Sequence, residues 1–312
     1  MAHLLVDWRD KLPSMWLGGA LAIGNFDGVH RGHQALVAET VLQAKRLSGP
    51  AVVLSFNPPP VHILRPERAQ PPLTPLEDRI ALLEAAGADL VLILHTTTEL
   101  LQLSAVEFFE QVIKQQIAAR AMVEGENFGF GRNREGDTKL LDNLCQSSGM
   151  TMSIVPPVLL GDRPISSSRV RQALLAGDIA SATDQLNRPY QIGGVVGTGQ
   201  QRGRTIGFPT ANLTQVHALL PADGVYAVGV RHAGGHWMGA ANIGANPTFD
   251  EHIRKIEVHL VDFAGELLGE WLTVDFLERC RETRRFASAG ELVAQLRKDV
   301  EFVRRLQSTY PN

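Results

Sequence analysis

Cysteine is nearly missing from this chain of 312 residues, Cys145 and Cys280 being the whole supply. That excludes a disulfide framework and a zinc site built on several thiolates, and it fits a reducing compartment, where both thiols act as small buried residues. Long apolar runs are missing too: the longest charge-free stretch, residues 143–161, is broken by polar residues, glycine and proline, so none supplies the ~20 predominantly apolar residues that a membrane span needs. Residues 1–16 are interrupted by Asp7, Arg9, Asp10 and Lys11, so they lack the unbroken apolar core of a secretory signal. The expectation is a cytoplasmic protein. An excess of charge is also lacking, with 30 Lys and Arg against 33 Asp and Glu and a pI of about 6.4. Without a global basic field the chain has nothing to hold long nucleic acid, and a polyphosphate must be met by local positive charge.

What is present is the composition of an ordinary soluble protein, 44% apolar and 20% charged, in a length that exceeds the usual single domain. From residue 20 to about 158, short apolar or β-branched runs at 20–23, 51–56, 89–94, 119–124 and 151–155 alternate with helical patterns at 34–47, 77–86, 104–117 and 137–148. That rhythm predicts βαβ units on a parallel, Rossmann-like sheet. Ser104 and Glu107 have capping-box spacing at one helix start, and Ser288 and Glu291 at another. Residues 167–187 read as two short helices. After Pro189 the pattern changes to short, evenly spaced strands at about 190–196, 224–230, 236–243, 256–261 and 271–277, which favours a small antiparallel barrel closed by a final helix. The domains expected are 1–187 and 188–312.

Chemistry concentrates in a few stretches. Gly24–His33, GNFDGVHRGH, follows the first apolar strand and opens a helix, so His30 and His33 stand near a helix N-terminus, where unpaired N–H groups favour anions. Gly28 and Gly32 let the backbone approach a polyphosphate without a Cβ in the way. In parallel sheets ligands bind outside the strand carboxyl ends, and FNPPP (56–60) and Gly125–Gly131 fall at the ends of two further strands, so three loops share one rim. GENFGFGRNREGD (125–137) has the composition either of a nucleotide-wrapping loop or of a solvated hairpin. Ser166, Ser167 and Ser168 before Arg169 and Arg171 form a second set of anion donors at a helix start. In the second half, GRTIGFPTAN (203–212) places Thr210 and Asn212 two apart in an extended segment, hard oxygens on one side that suit Mg2+ with a bound nucleotide. Glu257, inside IEVHLVDF, is either a carboxylate turned into the barrel, costly unless paired or used, or one on its outer face.

With these motifs in order, the chain resembles the prokaryotic bifunctional riboflavin kinase/FAD synthetases from about residue 18 to 307. GNFDGVHRGH, GENFGFGRNREGD, ISSSRVRQAL, RGRTIGFPTANL, DGVYAV, NIGANPTF and IEVHLVDF carry the resemblance. It implies an N-terminal FMN adenylyltransferase and a C-terminal riboflavin kinase barrel, with ATP as co-substrate, Mg2+ as cofactor, FMN and FAD as product ligands, and small molecules rather than nucleic acid or membrane as partners. It implies catalytic roles for His30, His33, Arg171 and Glu257. ATP and its phosphates would meet Gly24, Phe26, Gly28, Gly32, Ser167 and Ser168 in one half and Gly203, Arg204 and Gly207 in the other. The flavin would meet Asn127, Phe128 and Arg132, and the metal Thr210 and Asn212. Pro59, where a polar residue is usual, Ser168 for a frequent Thr, and Leu268 for a frequent Tyr depart from the pattern. Readings that compete with this one are an adenylyltransferase for another substrate, a flavin-binding sensor without turnover, and an aminoacyl-tRNA synthetase fragment. The barrel motif opposes the first, and the intact polar residues oppose the second. The lack of a lysine-rich second signature opposes the third.

Overall fold

The computed structural model describes residues 1–199, 203, 206–245 and 254–307. By contacts the chain forms two compact units, one of residues 1–70 and 75–166, the other of 71–74 and 167–312.

The first unit is a parallel sheet of six strands in the order β1-β4-β3-β2-β5-β6. The strands are β1 (Ala2–Val6), β2 (Ala20–Ile23), β3 (Ala51–Asn57), β4 (Leu90–His95), β5 (Ala121–Gly125) and β6 (Thr151–Val155). Their inner runs, such as ALAI in β2, are buried throughout, as expected of strands covered on both faces. The intervening helices are α1 (Arg31–Leu47), α2 (Pro60–Leu64), α3 (Leu76–Ala85), α4 (Thr98–Gln102), α5 (Ala105–Phe108) and α6 (Thr138–Ser147). Ser104 and Glu107 make the reciprocal capping box at the start of α5, but the helix continues as a π-helical stretch, Phe109–Gln116, where sequence spacing predicts one regular helix. β1 has no counterpart among the predicted strands; it pairs with β4 in parallel, Ala2 opposite Leu90 to Val6 opposite Leu94.

Strand order fixes where this sheet offers a crevice. From β2 the chain moves to β3 on one side, and later returns to β5 on the other, so β2 and β5 flank the topological switch point. The loops Gly24–His30, after β2, and Glu126–Gly131, after β5, leave the sheet at that edge, and residues 58–60 leave it beside them, after β3.

The second unit is a closed antiparallel barrel, β10-β13-β12-β11-β14-β9, as the strand spacing predicts. Its strands are β9 (Tyr190–Gly197), β10 (Ala211–Thr214), β11 (Gly224–His232), β12 (Gly235–Gly244), β13 (Lys255–Leu260) and β14 (Trp271–Arg281); β7 (Leu159–Leu160) and β8 (Arg163–Pro164) form a separate hairpin in the first unit. The two short helices, α7 (Ser167–Ala176) and α8 (Ile179–Leu186), are where the sequence puts them. Their apolar residues Val170, Leu174, Ile179, Ala182 and Leu186 share one core with Tyr190, Ile192, Tyr226 and Phe276 of the barrel. By packing, the chain therefore divides near 166, whereas the change of pattern along the sequence lies near 187.

The closing helix α9 (Ala289–Gln307) lies on the barrel's outside, where Val303 packs with Ala227, Met238 and Val261. Its most buried partner to Val303 is a carboxylate, Asp299, 4% exposed, which receives Arg281 Nη2 at 2.7 Å, Arg281 Nε at 3.0 Å and Gln295 Nε2 at 2.8 Å. The capping box expected here is partial: Ser288 Oγ accepts from Glu291 N–H, but Glu291 reaches the N–H of Ala287 instead of that of Ser288. Removing one partner of a buried ion pair strands the other, a loss of about 3–5 kcal/mol. Asp299→Ala is therefore expected to lower barrel stability by that order, read as a lower urea midpoint with the slope unchanged.

Candidate functional site

In the first unit the candidate site is built on the turn after β2. Phe26 (φ 50°), Gly28 (φ 86°) and Val29 (φ 39°) all have left-handed backbone, a conformation that costs a β-branched residue most. Such a turn persists only where its surroundings hold it. Phe26 and Val29 are buried beneath it, Gln34 Nε2 donates to the Val29 carbonyl at 3.0 Å, and Ser55 Oγ donates to the Asn25 carbonyl at 3.2 Å.

The turn delivers His30 to the N-cap of α1. His30 Nδ1 accepts the His33 N–H at 3.3 Å, so the neutral ring carries its proton on Nε2, a donor suited to an anion. The two imidazoles stack, with centroids 3.6 Å apart and planes 15° off parallel, and Phe26 packs edge-on to His33 at 5.2 Å. A Cβ at Gly32 would lie 3.2 Å from the His30 ring, so a larger residue there would press on this stack. The spacing of two histidines around Arg-Gly thus becomes one surface of donors at a helix N-terminus.

Two ionisable side chains that the sequence reading missed support this turn. Arg79 of α3, 3% exposed, donates to the Asn25 and Phe56 carbonyls. Glu124 of β5, 1% exposed, takes the Ile23 N–H on its Oε1 at 2.9 Å. The backbone pairing of β2 with β5 ends at Leu21 and Met122, so a side chain bridges the strands where the crevice opens. Burial pushes the Glu124 carboxyl well above its usual range, the Ile23 N–H only partly opposing it. A buried glutamate at the end of an apolar strand run, just before a glycine-rich loop, is the signal that could have exposed it.

The Gly125–Asp137 loop is folded as a hairpin, one of the two readings its composition allowed. An isolated bridge, Phe130 to Gly136, closes it as a hairpin, and Phe130 anchors it against Phe108 and Phe128. Asn127 and Arg132 are exposed at its surface, Phe128 is half-buried on the Phe130 ring at 5.6 Å, and Arg134 Nη2 donates to the Asn127 carbonyl at 3.0 Å.

In the second unit, Ser167 and Ser168 open α7, and Arg171 donates from Nη1 to the Pro71 carbonyl at 2.7 Å. The other polar set lies on the barrel wall. Ile256, Val258 and Leu260 belong to the core, so the alternating Glu257 faces outward and is half-buried; this decides between the two orientations left open by periodicity. Across the strands, Glu257 stands directly opposite Asn212 on β10 and Asn242 on β12, and Asn212 stands opposite Gly197 on β9. Neighbours in such a row have Cβ atoms about 4.5–5.5 Å apart, close enough for amide and carboxylate groups to act on one ligand. A Cβ at Gly199 would lie 2.1 Å from Asn212 Nδ2, so this glycine makes room for the amide.

Thr210 precedes the strand and is exposed; the preceding Pro209 carbonyl is held by His259 Nδ1 at 2.8 Å. Gly203 takes the Phe208 N–H on its carbonyl, and Gly207 has a left-handed φ of 84°; Arg204 lies outside the described residues. A cavity of about 590 Å3 is lined by Thr198, Gly199, Asn212, Thr214, Arg254 and Lys255. Arg254 is oriented by Asp223 at 2.7 Å and by the Pro221 carbonyl at 2.5 Å. Asn242, Arg254 and Lys255 were not singled out from sequence, although two adjacent cations at the start of a strand that carries Glu257 were a usable sign. Among the described residues no group of three or more His, Cys, Asp or Glu is placed to hold a metal, so a metal here would rest on neutral oxygens and on the ligand's own phosphates.

Both thiols are unpaired; burial pushes Cys145 up to about 11 and Cys280 up to about 12, and Cys280 is only half-buried where the sequence reading has it buried. No helix among the described residues is long and apolar enough to cross a membrane.

Known protein families match this chain in two stretches. A family model described as FAD synthetase matches residues 13–169, and one described as riboflavin kinase matches residues 186–307. A bifunctional riboflavin kinase/FMN adenylyltransferase of Pseudomonas fluorescens is 39% identical over 290 residues, covering 93% of each chain. Proteins of the same description from Escherichia coli (strain K12) and Bacillus subtilis (strain 168) are each 37% identical, covering 90% and 89% of both chains respectively. A crystal structure from Streptococcus pneumoniae, titled as a macrolide-efflux protein, superposes with a TM-score of 0.88 at 33% identity over 97% of this chain and 98% of its own.

Glu124 generates a test that needs no ligand. In the unfolded chain its carboxyl titrates near the ordinary 4.5, and in the fold well above that. Between those values the folded state keeps a proton that the unfolded state has released, so the stability of the first unit falls as pH rises through the window. Glu124→Gln keeps the acceptor for Ile23 and cannot ionise. Its melting temperature is expected to gain on that of the wild type as pH climbs above the ordinary carboxylate range, and a difference that stays constant with pH in scanning calorimetry contradicts the assignment.

Proposed function

Because this chain belongs to the bifunctional riboflavin kinase/FMN adenylyltransferase family, we propose that it carries riboflavin to FAD in two ATP-dependent steps, one in each half. The barrel phosphorylates riboflavin to FMN, and the parallel-sheet half transfers AMP from ATP to FMN, releasing pyrophosphate. The observation that carries this division is that each half holds its own polar cluster, stacked imidazoles at the α1 N-terminus in one and the Asn212, Glu257 and Asn242 row in the other.

In the adenylylating half, His30 and His33 donate to the triphosphate of ATP as charge develops on the departing pyrophosphate. Gly24, Phe26, Gly28 and Gly32 shape the turn that brings backbone N–H groups to it. Asn127, Phe128 and Arg132 meet the flavin. The FMN phosphate attacks the α-phosphorus directly, so catalysis is alignment and charge stabilisation without a covalent intermediate. A donor placed on developing charge is worth roughly 3 kcal/mol, about a hundredfold in rate.

In the kinase half, Glu257 accepts the proton of the terminal ribityl hydroxyl as that oxygen attacks the γ-phosphorus of ATP and the bond to the bridging oxygen breaks, releasing ADP. Thr210 and Asn212 fit Mg2+, being neutral hard oxygens that leave the charge to the phosphates. When bound, the ion neutralises charge on the β- and γ-phosphates. Gly203, Arg204 and Gly207 form the nucleotide loop, and Arg254 and Lys255 add positive charge at the rim of the cavity. The division of labour runs over residues 1–187 and 188–312, and the partners are small molecules in a cytoplasmic setting suited to two unpaired thiols.

Two variants of the full chain separate the steps. His33→Ala is expected to leave FMN formation at the wild-type rate and to cut FAD formation about a hundredfold. Glu257→Gln is expected to do the reverse, with supplied FMN still adenylylated. Chromatography of flavin products checks both, and parallel loss of the two activities in either variant would falsify the two-site assignment.

A further inference from the structure

Arg79 is a charged side chain of the first unit that is 3% exposed and forms no ion pair among the described residues. A guanidinium taken out of water is costly unless its donors are met. Here two of them meet backbone carbonyls instead of carboxylates, Nη1 donating to Asn25 at 2.8 Å and Nη2 to Phe56 at 3.3 Å. The third nitrogen, Nε, is buried with no hydrogen-bond partner among the described residues. Asn25 belongs to the left-handed turn after β2, and Phe56 stands one residue from the end of β3, so one side chain from α3 ties that turn to the end of the neighbouring strand at the crevice edge. The charges acting on it are the carboxylates of Asp27, in the same turn, and Glu77, on its own helix.

An apolar residue at this position would continue the buried side of α3 with Ile80 and Leu83. It would leave the Asn25 carbonyl to Ser55 alone and the Phe56 carbonyl without this donor. Burial lowers the Arg79 pKa, but guanidinium remains charged at any ordinary pH. A cation in this place therefore does two things that packing cannot: it fixes the turn, and it sets positive charge beneath the backbone that presents His30 and His33.

We propose that Arg79 is a positioning residue for adenylyl transfer, clamping the Gly24–His33 turn to the end of β3 and holding a fixed positive charge under the triphosphate. This rests on the reading of the first half as the adenylyltransferase. Displacement of catalytic groups by about 1 Å costs about a hundredfold in turnover while ground-state binding changes little, and that sets the expected signature.

The experiment uses the full-length enzyme as wild type, R79K, R79Q and R79M, with FAD formation from FMN and FMN formation from riboflavin measured on the same preparations beside thermal melts. R79M is expected to lose about a hundredfold in kcat for FAD formation, with KM for FMN within about threefold and riboflavin phosphorylation unchanged. R79K, which keeps the charge, is expected to stay within about tenfold of wild type, and R79Q to fall at least about tenfold below R79K. Should R79M not fold, the comparison of R79Q with R79K decides. Equal kcat in R79K and R79Q, or a kcat in R79M within about threefold of wild type, overturns the proposal. A wild-type enzyme that forms FMN but no FAD overturns the underlying reading of this half, and the role of Arg79 with it.

Discussion

The left-handed turn between Ile23 and His30 is the constraint on which the first half depends. A parallel strand that ends at a switch point leaves backbone groups without ladder partners, and a turn with Val29 at positive φ cannot hold itself. The protein meets both needs with buried polar side chains from neighbouring elements: Glu124 from β5 for the Ile23 N–H, Arg79 and Ser55 for the Asn25 carbonyl, and Gln34 for the Val29 carbonyl. Only with the turn held does His30 cap α1 and does the His33 ring lie against it. The burial of polar and charged side chains around this turn is thus a cost of shape, borne where side chains must be aligned to within fractions of an ångström.

The barrel solves the same problem by different means. Its core is filled by one face of each strand, and the opposite face is free to carry function, so Asn212, Glu257 and Asn242 are aligned by register alone. No strained turn is needed, because neighbouring strands fix the spacing of the row. Glycine enters where the amide of Asn212 needs room, at Gly199.

Much of the architecture is readable in the chain because it rests on short-range periodicity. The strands of the sheet interior, the Ser104 capping box and the two helices after Ser166 follow from local spacing, and the evenly placed strands beyond Pro189 point to the barrel. What escapes is decided at long range. β1 is an edge strand whose partner, β4, lies nearly ninety residues on, and its alternating exposure resembles that of many short surface segments. Arg79 reads as a polar position in an amphipathic helix, since nothing local reveals that two carbonyls from distant loops lie over it. Glu257 could not be oriented from its own strand, and needed the barrel to say which face is core. The pairing of His30 and His33 at one helix start was legible because the two are neighbours in sequence as well as in space.

The core that α7 and α8 share with the barrel bears on how such a protein could be taken apart. Leu73, Val170, Leu174 and Leu186 are sealed against Tyr190, Tyr226 and Phe276, so a fragment begun after the second of these helices would open a large oily patch to water. Modularity in this chain is set by where greasy side chains interlock and not by where its recognisable signatures stop. A gene fusion or recombination event that respected only the signatures would separate side chains that this core holds together.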